Sequence, residues 1–123
     1  MPEGPEVRTI SQDLRKLLKN SKLIEIIYYK HAYGIKHEQV SGNILDVQSK
    51  GKIIYFKILT TKHQKEEVLY IYNHLGMTGF WSLEKTTYSI LALSFQSENK
   101  VFFNDIRKFS KFKIMNQTEM EEK

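Results

Sequence analysis

Ile44-Leu45-Asp46-Val47-Gln48-Ser49-Lys50-Gly51-Lys52-Ile53-Ile54-Tyr55-Phe56-Lys57-Ile58-Leu59 is the stretch that decides the architecture. Two short β-favouring runs, Ile44–Val47 and Ile53–Leu59, flank Ser49-Lys50-Gly51-Lys52. That pattern reads as a hairpin or a bulged strand junction. Outward from it, similar runs recur: Leu23–Tyr29 before it, then Val68–Tyr72, Phe80–Leu83, Tyr88–Phe95, Lys100–Phe103 and Phe109–Met115. Polar stretches separate them. His31–Gln39, which contains Gly34, reads as a loop, Thr61–Glu67 as a polar turn, and Gln96-Ser97-Glu98-Asn99 as a hairpin turn. Both prolines stand at positions 2 and 5, so Gly, Asn, Asp and Ser must make every later turn.

The start of the chain is different. Val7, Ile10, Leu14, Leu17 and Leu18 recur at spacings of three and four, which marks an amphipathic helix. Pro5 suits its first turn, where a missing N–H costs nothing. Glu6 at the start and Lys16 and Lys19 at the end complement the helix dipole. Asn20-Ser21 breaks the pattern. One helix followed by about eight short strands predicts an α+β, mainly β fold: an antiparallel β-sandwich or barrel with an N-terminal amphipathic helix packed on it.

The composition sets bounds. The 123 residues, 41% hydrophobic, suit one domain with a sizeable core. The absence of cysteine excludes disulfides, Cys-ligated zinc, iron–sulfur clusters and a cysteine nucleophile. With 27% charged residues and a mean hydropathy of −0.45, no membrane partner is expected, and Met1-Pro2-Glu3 opens no secretory signal, so the expected compartment is intracellular. A net charge of +5 mildly favours a polyanionic partner. No motif calls for a cofactor or a metal.

Four segments carry chemistry. The first is Met1-Pro2-Glu3-Gly4-Pro5-Glu6. Removal of Met1 would leave a secondary amine on Pro2. An α-amino group titrates near ~8, so a useful fraction is neutral and nucleophilic at physiological pH. Attack on a sugar carbon or a carbonyl gives an iminium, and Glu3 beside it could move a proton. The plainer reading is that the two prolines stiffen the lead into the helix. The second segment is Lys50-Gly51-Lys52, where glycine lets two ammonium groups be held beside a phosphate; the plainer reading is a solvated basic turn. The third is Asn73-His74-Leu75-Gly76-Met77-Thr78-Gly79, a loop whose glycines frame an apolar wedge suited to a base stack, or else a core methionine. The fourth is Asn104-Asp105-Ile106-Arg107-Lys108-Phe109-Ser110-Lys111-Phe112-Lys113, basic residues alternating with aromatics. Arginine can bond a base edge and phenylalanine can stack, although an ordinary basic edge strand has the same pattern.

Together, in this order and spacing, the four segments resemble the N-terminal catalytic domain of the formamidopyrimidine-DNA glycosylase / endonuclease VIII (Fpg/Nei) family. The resemblance covers essentially the whole chain. Glu3-Gly4-Pro5-Glu6 leans toward the Nei side and His74-Leu75-Gly76-Met77-Thr78-Gly79 toward Fpg.

The resemblance implies a base-excision-repair glycosylase with AP-lyase chemistry acting on damaged double-stranded DNA. Pro2 would attack the anomeric carbon, the base would leave, and a Schiff base would lead to β- and δ-elimination. Glu3 would be the general acid/base, Glu6 would support the site, and Lys52 would grip a phosphate. Lys50, His74 and Lys108 would add DNA contacts. Met77, Arg107 and Phe109 would fill the hole left by the extruded nucleotide, since the sugar carbon cannot be reached inside a stacked duplex.

The resemblance also divides the chain: 1–115 as the catalytic domain and 116–123 as a tail or the start of a linker. Family members are about twice as long, and their second domain, a helix–two-turns–helix element with a zinc finger, is expected to be absent here. The strand that usually reads D-P-R-R-F-G is Asp105-Ile106-Arg107-Lys108-Phe109-Ser110. Residues 98–113 carry a local charge of +3 and residues 114–123 one of −2, so DNA binding by this chain alone should be weak and salt-sensitive.

The chain is expected to be a monomer. A second reading is a truncated, non-catalytic damaged-DNA-binding fragment that needs a second domain, separately encoded, in trans. A third, an N-terminal-proline tautomerase, fits poorly because those subunits begin with a strand after the proline, whereas a helix follows here.

Overall fold

A computed structural model describes residues 4–31, 34–107 and 110–121. Helix α1 (Gly4–Leu18) precedes eight strands: β1 (Lys22–His31), β2 (Gly34–Lys50), β3 (Ile53–Lys62), β4 (Lys65–His74), β5 (Gly79–Ser82), β6 (Ser89–Phe95), β7 (Lys100–Asp105) and β8 (Lys111–Asn116). A short helix, α2 (Gln117–Glu121), follows. The strands form one antiparallel sheet in the order β5-β7-β6-β1-β2-β3-β4-β8. The sheet is open and folds over on itself. Trp81 on β5 lies 5.4 Å from the ring of Phe56 on β3, and its indole N–H donates to Asn73 Oδ1 on β4 at 3.0 Å. Tyr28 on β1 meets Phe112 on β8 edge to face at 6.3 Å. Strands far apart in the sheet thus face one another across a shared core, which is the sandwich arrangement the sequence predicts.

The helix forms where the apolar periodicity places it. Val7, Leu14 and Leu18 are buried in the core, each burial worth about 1.5–3 kcal/mol. Leu17, counted in the same stripe, is 49% exposed, and Ser11 takes a buried place by donating to the Arg8 carbonyl at 2.8 Å. Asn20 ends the helix with φ +71°, the left-handed conformation that asparagine tolerates. Its N–H donates to the Ile44 carbonyl at 2.8 Å, and the Ile44 N–H donates back to Ser21 at 2.9 Å, so the helix exit is tied to β2. Arg15 and Asp46 add an ion pair at 2.7 Å.

Two turn expectations tighten. The Thr61–Glu67 turn narrows to His63-Gln64, both at positive φ (53° and 65°), so β3 and β4 form a two-residue hairpin with Lys62 opposite Lys65. Gly51 takes φ +60° in the turn joining Lys50 to Ile53. The expected loop over His31–Gln39 is corrected. From Gly34 onward this segment is the first part of β2, paired with β1. It looks like a loop in sequence because both its faces are polar. Cross-strand polar pairs hold it instead: Tyr28 donates to Glu38 at 2.7 Å, Gln39 donates to Glu25 at 3.1 Å, and His37 Nδ1 lies 3.2 Å from Glu25. Residues 117–121, in the segment read as a tail or linker start, form a helical turn closed by a capping box. The Glu119 N–H donates to Asn116 Oδ1 at 2.8 Å, and the Asn116 N–H donates to Glu119 Oε1 at 3.2 Å.

Gly79 is sterically required. A Cβ there would lie 2.3 Å from the Leu75 carbonyl oxygen and 2.9 Å from the Phe103 ring, whereas a Cβ on Gly4 would meet nothing within 4 Å. Gly79→Ala should cost about 2–3 kcal/mol in urea unfolding, by overpacking against backbone, while Gly4→Ala should stay within about 0.5 kcal/mol of the parent. Equal stabilities for the two variants would contradict the packing described.

Candidate functional site

Three connections meet at one end of the sheet: the β2–β3 turn, the β4–β5 loop and the β7–β8 loop. The first two are joined directly, because the Leu75 N–H donates to the Lys52 carbonyl at 3.1 Å. Leu75 is fully buried, so it anchors the β4–β5 loop while the residues on either side reach outward. Gly76, at φ +64°, turns the chain, and the Gly79 N–H closes the loop on the Leu75 carbonyl at 3.0 Å. Met77 projects from this loop and is 41% exposed, so it is not a core methionine. The Gly76 N–H donates to His74 Nδ1 at 3.1 Å, which fixes the imidazole against the loop. Lys50, opposite Ile53, and Lys111, opposite His74, bring further cations to this end.

The β7–β8 loop is built around Asp105. Its buried carboxylate accepts from the Thr78 hydroxyl, from the Arg107 N–H at 3.2 Å and from the Ser110 N–H at 2.9 Å. The Arg107 N–H also lies 3.3 Å from Thr78 Oγ1. One carboxylate therefore ties the loop carrying Arg107 to the loop carrying Met77. Burial pushes this carboxyl up, but the hydrogen bonds from Thr78, Ser110 and Arg107 outweigh burial and hold it below the usual aspartate range. Asn104, also buried, supports the same corner: its amide donates to Ser82 Oγ at 2.9 Å and to the Phe80 carbonyl at 3.2 Å, and it accepts from Ser89 at 2.6 Å and Thr86 at 2.9 Å.

The strand reading of the Asp105–Phe109 motif is corrected for its described residues, Ile106 and Arg107. β7 ends at Asp105 and β8 begins at Lys111, with Arg107 exposed on the connection between them. The ladder stops because the Arg107 and Ser110 N–H groups turn inward to the Asp105 carboxylate rather than toward a neighbouring strand. Lys50, Lys52, His74, Met77 and Arg107 thus gather at one end of the sheet. Glu6 is exposed in the first turn of α1, next to the buried Val7. Pro2, Glu3, Lys108 and Phe109 lie outside the described residues. Asp105 and Thr78 carry no role in the sequence reading. Their signal is an aspartate two residues before the arginine, where its carboxylate can accept the i+2 N–H, and a hydroxyl in a glycine-framed loop. Among the described residues, no group of three His, Cys, Asp or Glu side chains is placed to hold a metal ion, and no helix is long and apolar enough to cross a membrane.

The family model of the formamidopyrimidine-DNA glycosylase N-terminal domain matches residues 1–112. The chain belongs to this family. Curated formamidopyrimidine-DNA glycosylases similar to it include one from Thermus thermophilus, 31% identical over 112 residues, which cover 90% of this chain and 39% of the relative. That of Deinococcus radiodurans is 28% identical over 114 residues, covering 90% and 41%. The chain therefore spans about two-fifths of the length of these glycosylases. The crystal structure of the MutM (Fpg) protein from T. thermophilus aligns with 98% of this chain and 43% of its own, with a TM-score of 0.77 and 27% identity. The Lactococcus lactis glycosylase non-covalently bound to DNA containing an AP site aligns with a TM-score of 0.77 at 21% identity, covering 98% of this chain and 47% of its own, a likeness of fold. The eight-stranded fold with its N-terminal helix is that of the Fpg N-terminal domain.

Asp105→Asn should cost about 1–3 kcal/mol at neutral pH, because an amide N–H₂ then faces N–H donors. The folded carboxyl lies below its ordinary value of 3.8, so its stabilising contribution is complete well above that pH. It is lost as the pH falls through the lowered folded value. Urea midpoints from pH 7 to pH 3 should show the gap between parent and variant closing at the acid end; a gap that widens on acidification would contradict the charged clamp.

Proposed function

We propose that this chain performs the chemical steps of a base-excision-repair DNA glycosylase/AP lyase on damaged double-stranded DNA. The observation that carries the reading is the meeting of Lys52, Met77 and Arg107 at one end of the sheet in a chain of this family. Once Met1 is removed, the Pro2 nitrogen forms a bond to the sugar C1′ as the C1′–base bond breaks, and the proton that the amine gives up passes to the departing base. Glu3 then delivers a proton to the ring oxygen as the C1′–O bond opens to an iminium. Loss of a C2′ proton expels the 3′-phosphate, and a further proton loss from C4′ expels the 5′-phosphate. Lys52 holds a phosphate beside the lesion, and Glu6 supports the amine from the first turn of α1.

Met77 and Arg107 enter the duplex where the nucleotide has left it. A methionine on a glycine-framed loop can slide between base steps, and the guanidinium can bond the edge of the orphaned base. The Asp105 clamp keeps the two residues on adjoining loops, which reduces the ordering needed when DNA binds. A DNA substrate places the protein in an intracellular compartment. A second reading is a chain that binds damaged DNA without cutting it.

Borohydride reduction with an abasic duplex should trap a covalent adduct, with intact mass and peptide mapping placing it on Pro2. Glu3→Gln should slow strand cleavage by about 10²–10⁴-fold, and Lys52→Ala by about 10²-fold. No adduct, even at high protein and low salt, would overturn intrinsic catalysis; duplex binding that persists without cleavage would support the second reading.

A further inference from the structure

The outer face of β2, β3, β4 and β8 carries a pattern that the proposed chemistry does not use. Antiparallel register places directly opposed residues on the same face. One row reads Lys50, Ile53, His74, Lys111; the next reads Gln48, Tyr55, Tyr72, Lys113; the third reads Asp46, Lys57, Tyr70, Met115. Successive rows are about 6.7 Å apart along the strands. The alternate residues Ile54, Phe56, Ile58 and Ile71 point the other way and are fully buried.

The face is neither a solvated surface nor a core. Tyr55, Tyr70 and Tyr72 are half-buried, while Lys50, Lys57, Lys111 and Lys113 are exposed. The Tyr55 and Tyr72 rings meet edge to face at 5.7 Å and 71°, and Lys113 Nζ stands 5.9 Å from the Tyr72 ring centre. The one acid of these rows, Asp46, is engaged by Arg15 at 2.7 Å, the Val47 N–H at 3.0 Å and Gln48 at 2.8 Å. Asp46 stands opposite Lys57, and the rows offer Lys50, Lys111 and Lys113 no carboxylate. At the far end, α2 covers the third row: Tyr70 donates to Gln117 at 3.3 Å, and Met115 is buried. At the near end, the first row contains His74 and adjoins the Lys52 turn.

Rings held on a sheet face among exposed cations suit a polyanion whose bases are free to stack. A duplex keeps its base faces stacked on one another and offers the tyrosines nothing. We propose that this face binds a single-stranded stretch of nucleic acid, with bases against Tyr55 and Tyr72 and phosphates against Lys50, Lys57, Lys111 and Lys113. Recognition is independent of sequence, because every base has a π-face. The proposal rests on the glycosylase reading only for the source of the strand, which would run from the unstacked end at Lys52 and His74 onto the tyrosines.

Fluorescence anisotropy of a labelled oligothymidylate with the 123-residue chain at low salt tests it. The parent should bind, Tyr72→Leu should weaken binding about tenfold or more, and Tyr72→Phe should restore it. Lys111→Ala and Lys113→Ala should each flatten the dependence of log K on log salt by about 0.7. Lys16→Ala, on the exposed side of α1, should match the parent. The proposal is overturned if oligothymidylate does not bind, if Tyr72→Leu binds as the parent does, if Lys16→Ala loses as much as Lys113→Ala, or if Tyr72→Leu weakens undamaged duplex equally. Trapping at Pro2 is read separately: oligothymidylate binding without trapping removes the glycosylase reading alone, and trapping without oligothymidylate binding removes this one alone.

Discussion

The Asp105 carboxylate is the constraint on which the site depends. It ends β7, gathers the Thr78 hydroxyl and the Arg107 and Ser110 N–H groups, and thereby joins two loops that the sheet alone would leave independent. A buried carboxylate is costly unless its lone pairs are filled. Here the donors that fill them are the ones whose placement sets Met77 and Arg107 on adjoining loops. Desolvation is outweighed, so the charge stays on the carboxylate and the clamp persists at neutral pH.

Behind the clamp stands a sheet that closes on itself through side chains. Trp81 bridges from β5 to Phe56, Phe103 and Asn73, so the edge strand that leads out of the Met77 loop is fixed against the strands that lead into it. The β4–β5 loop therefore has both ends anchored, at Leu75 and at Gly79. This division suits a surface proposed to push into DNA: rigid roots, exposed tips. Among the described residues, no buried side-chain nitrogen or oxygen lacks a hydrogen-bond partner, so the polar corner at Asn104 and Asp105 is fully satisfied.

Much of the architecture is legible in the sequence because apolar periodicity reports burial. Val7, Leu14 and Leu18 mark the helix, and Ile54, Phe56 and Ile58 mark a strand with one face inward. Periodicity is silent where burial is not the cause. Residues 34–39 are a strand held by Glu25, Tyr28, Glu38 and Gln39 pairing across β1 and β2, and such polar pairs leave no hydrophobic period to read. In the site, the residue types in Lys50-Gly51-Lys52 and His74–Gly79 announce their loops. Asp105 does not announce its role, because its partner Thr78 is 27 residues away and only the fold brings the two together. The same holds for the Tyr55, Tyr72 and Lys113 row, which exists only once the register of three strands is known.

A charged Asp105 holds the two loops together. An NMR titration of the Asp105 carboxyl carbon, followed alongside the Arg107 and Ser110 amide protons, tests it most directly. The midpoint should lie below the ordinary aspartate value of 3.8, with both amide protons moving through the same transition. A midpoint at or above that value, or amides that do not follow the carboxyl, would contradict it.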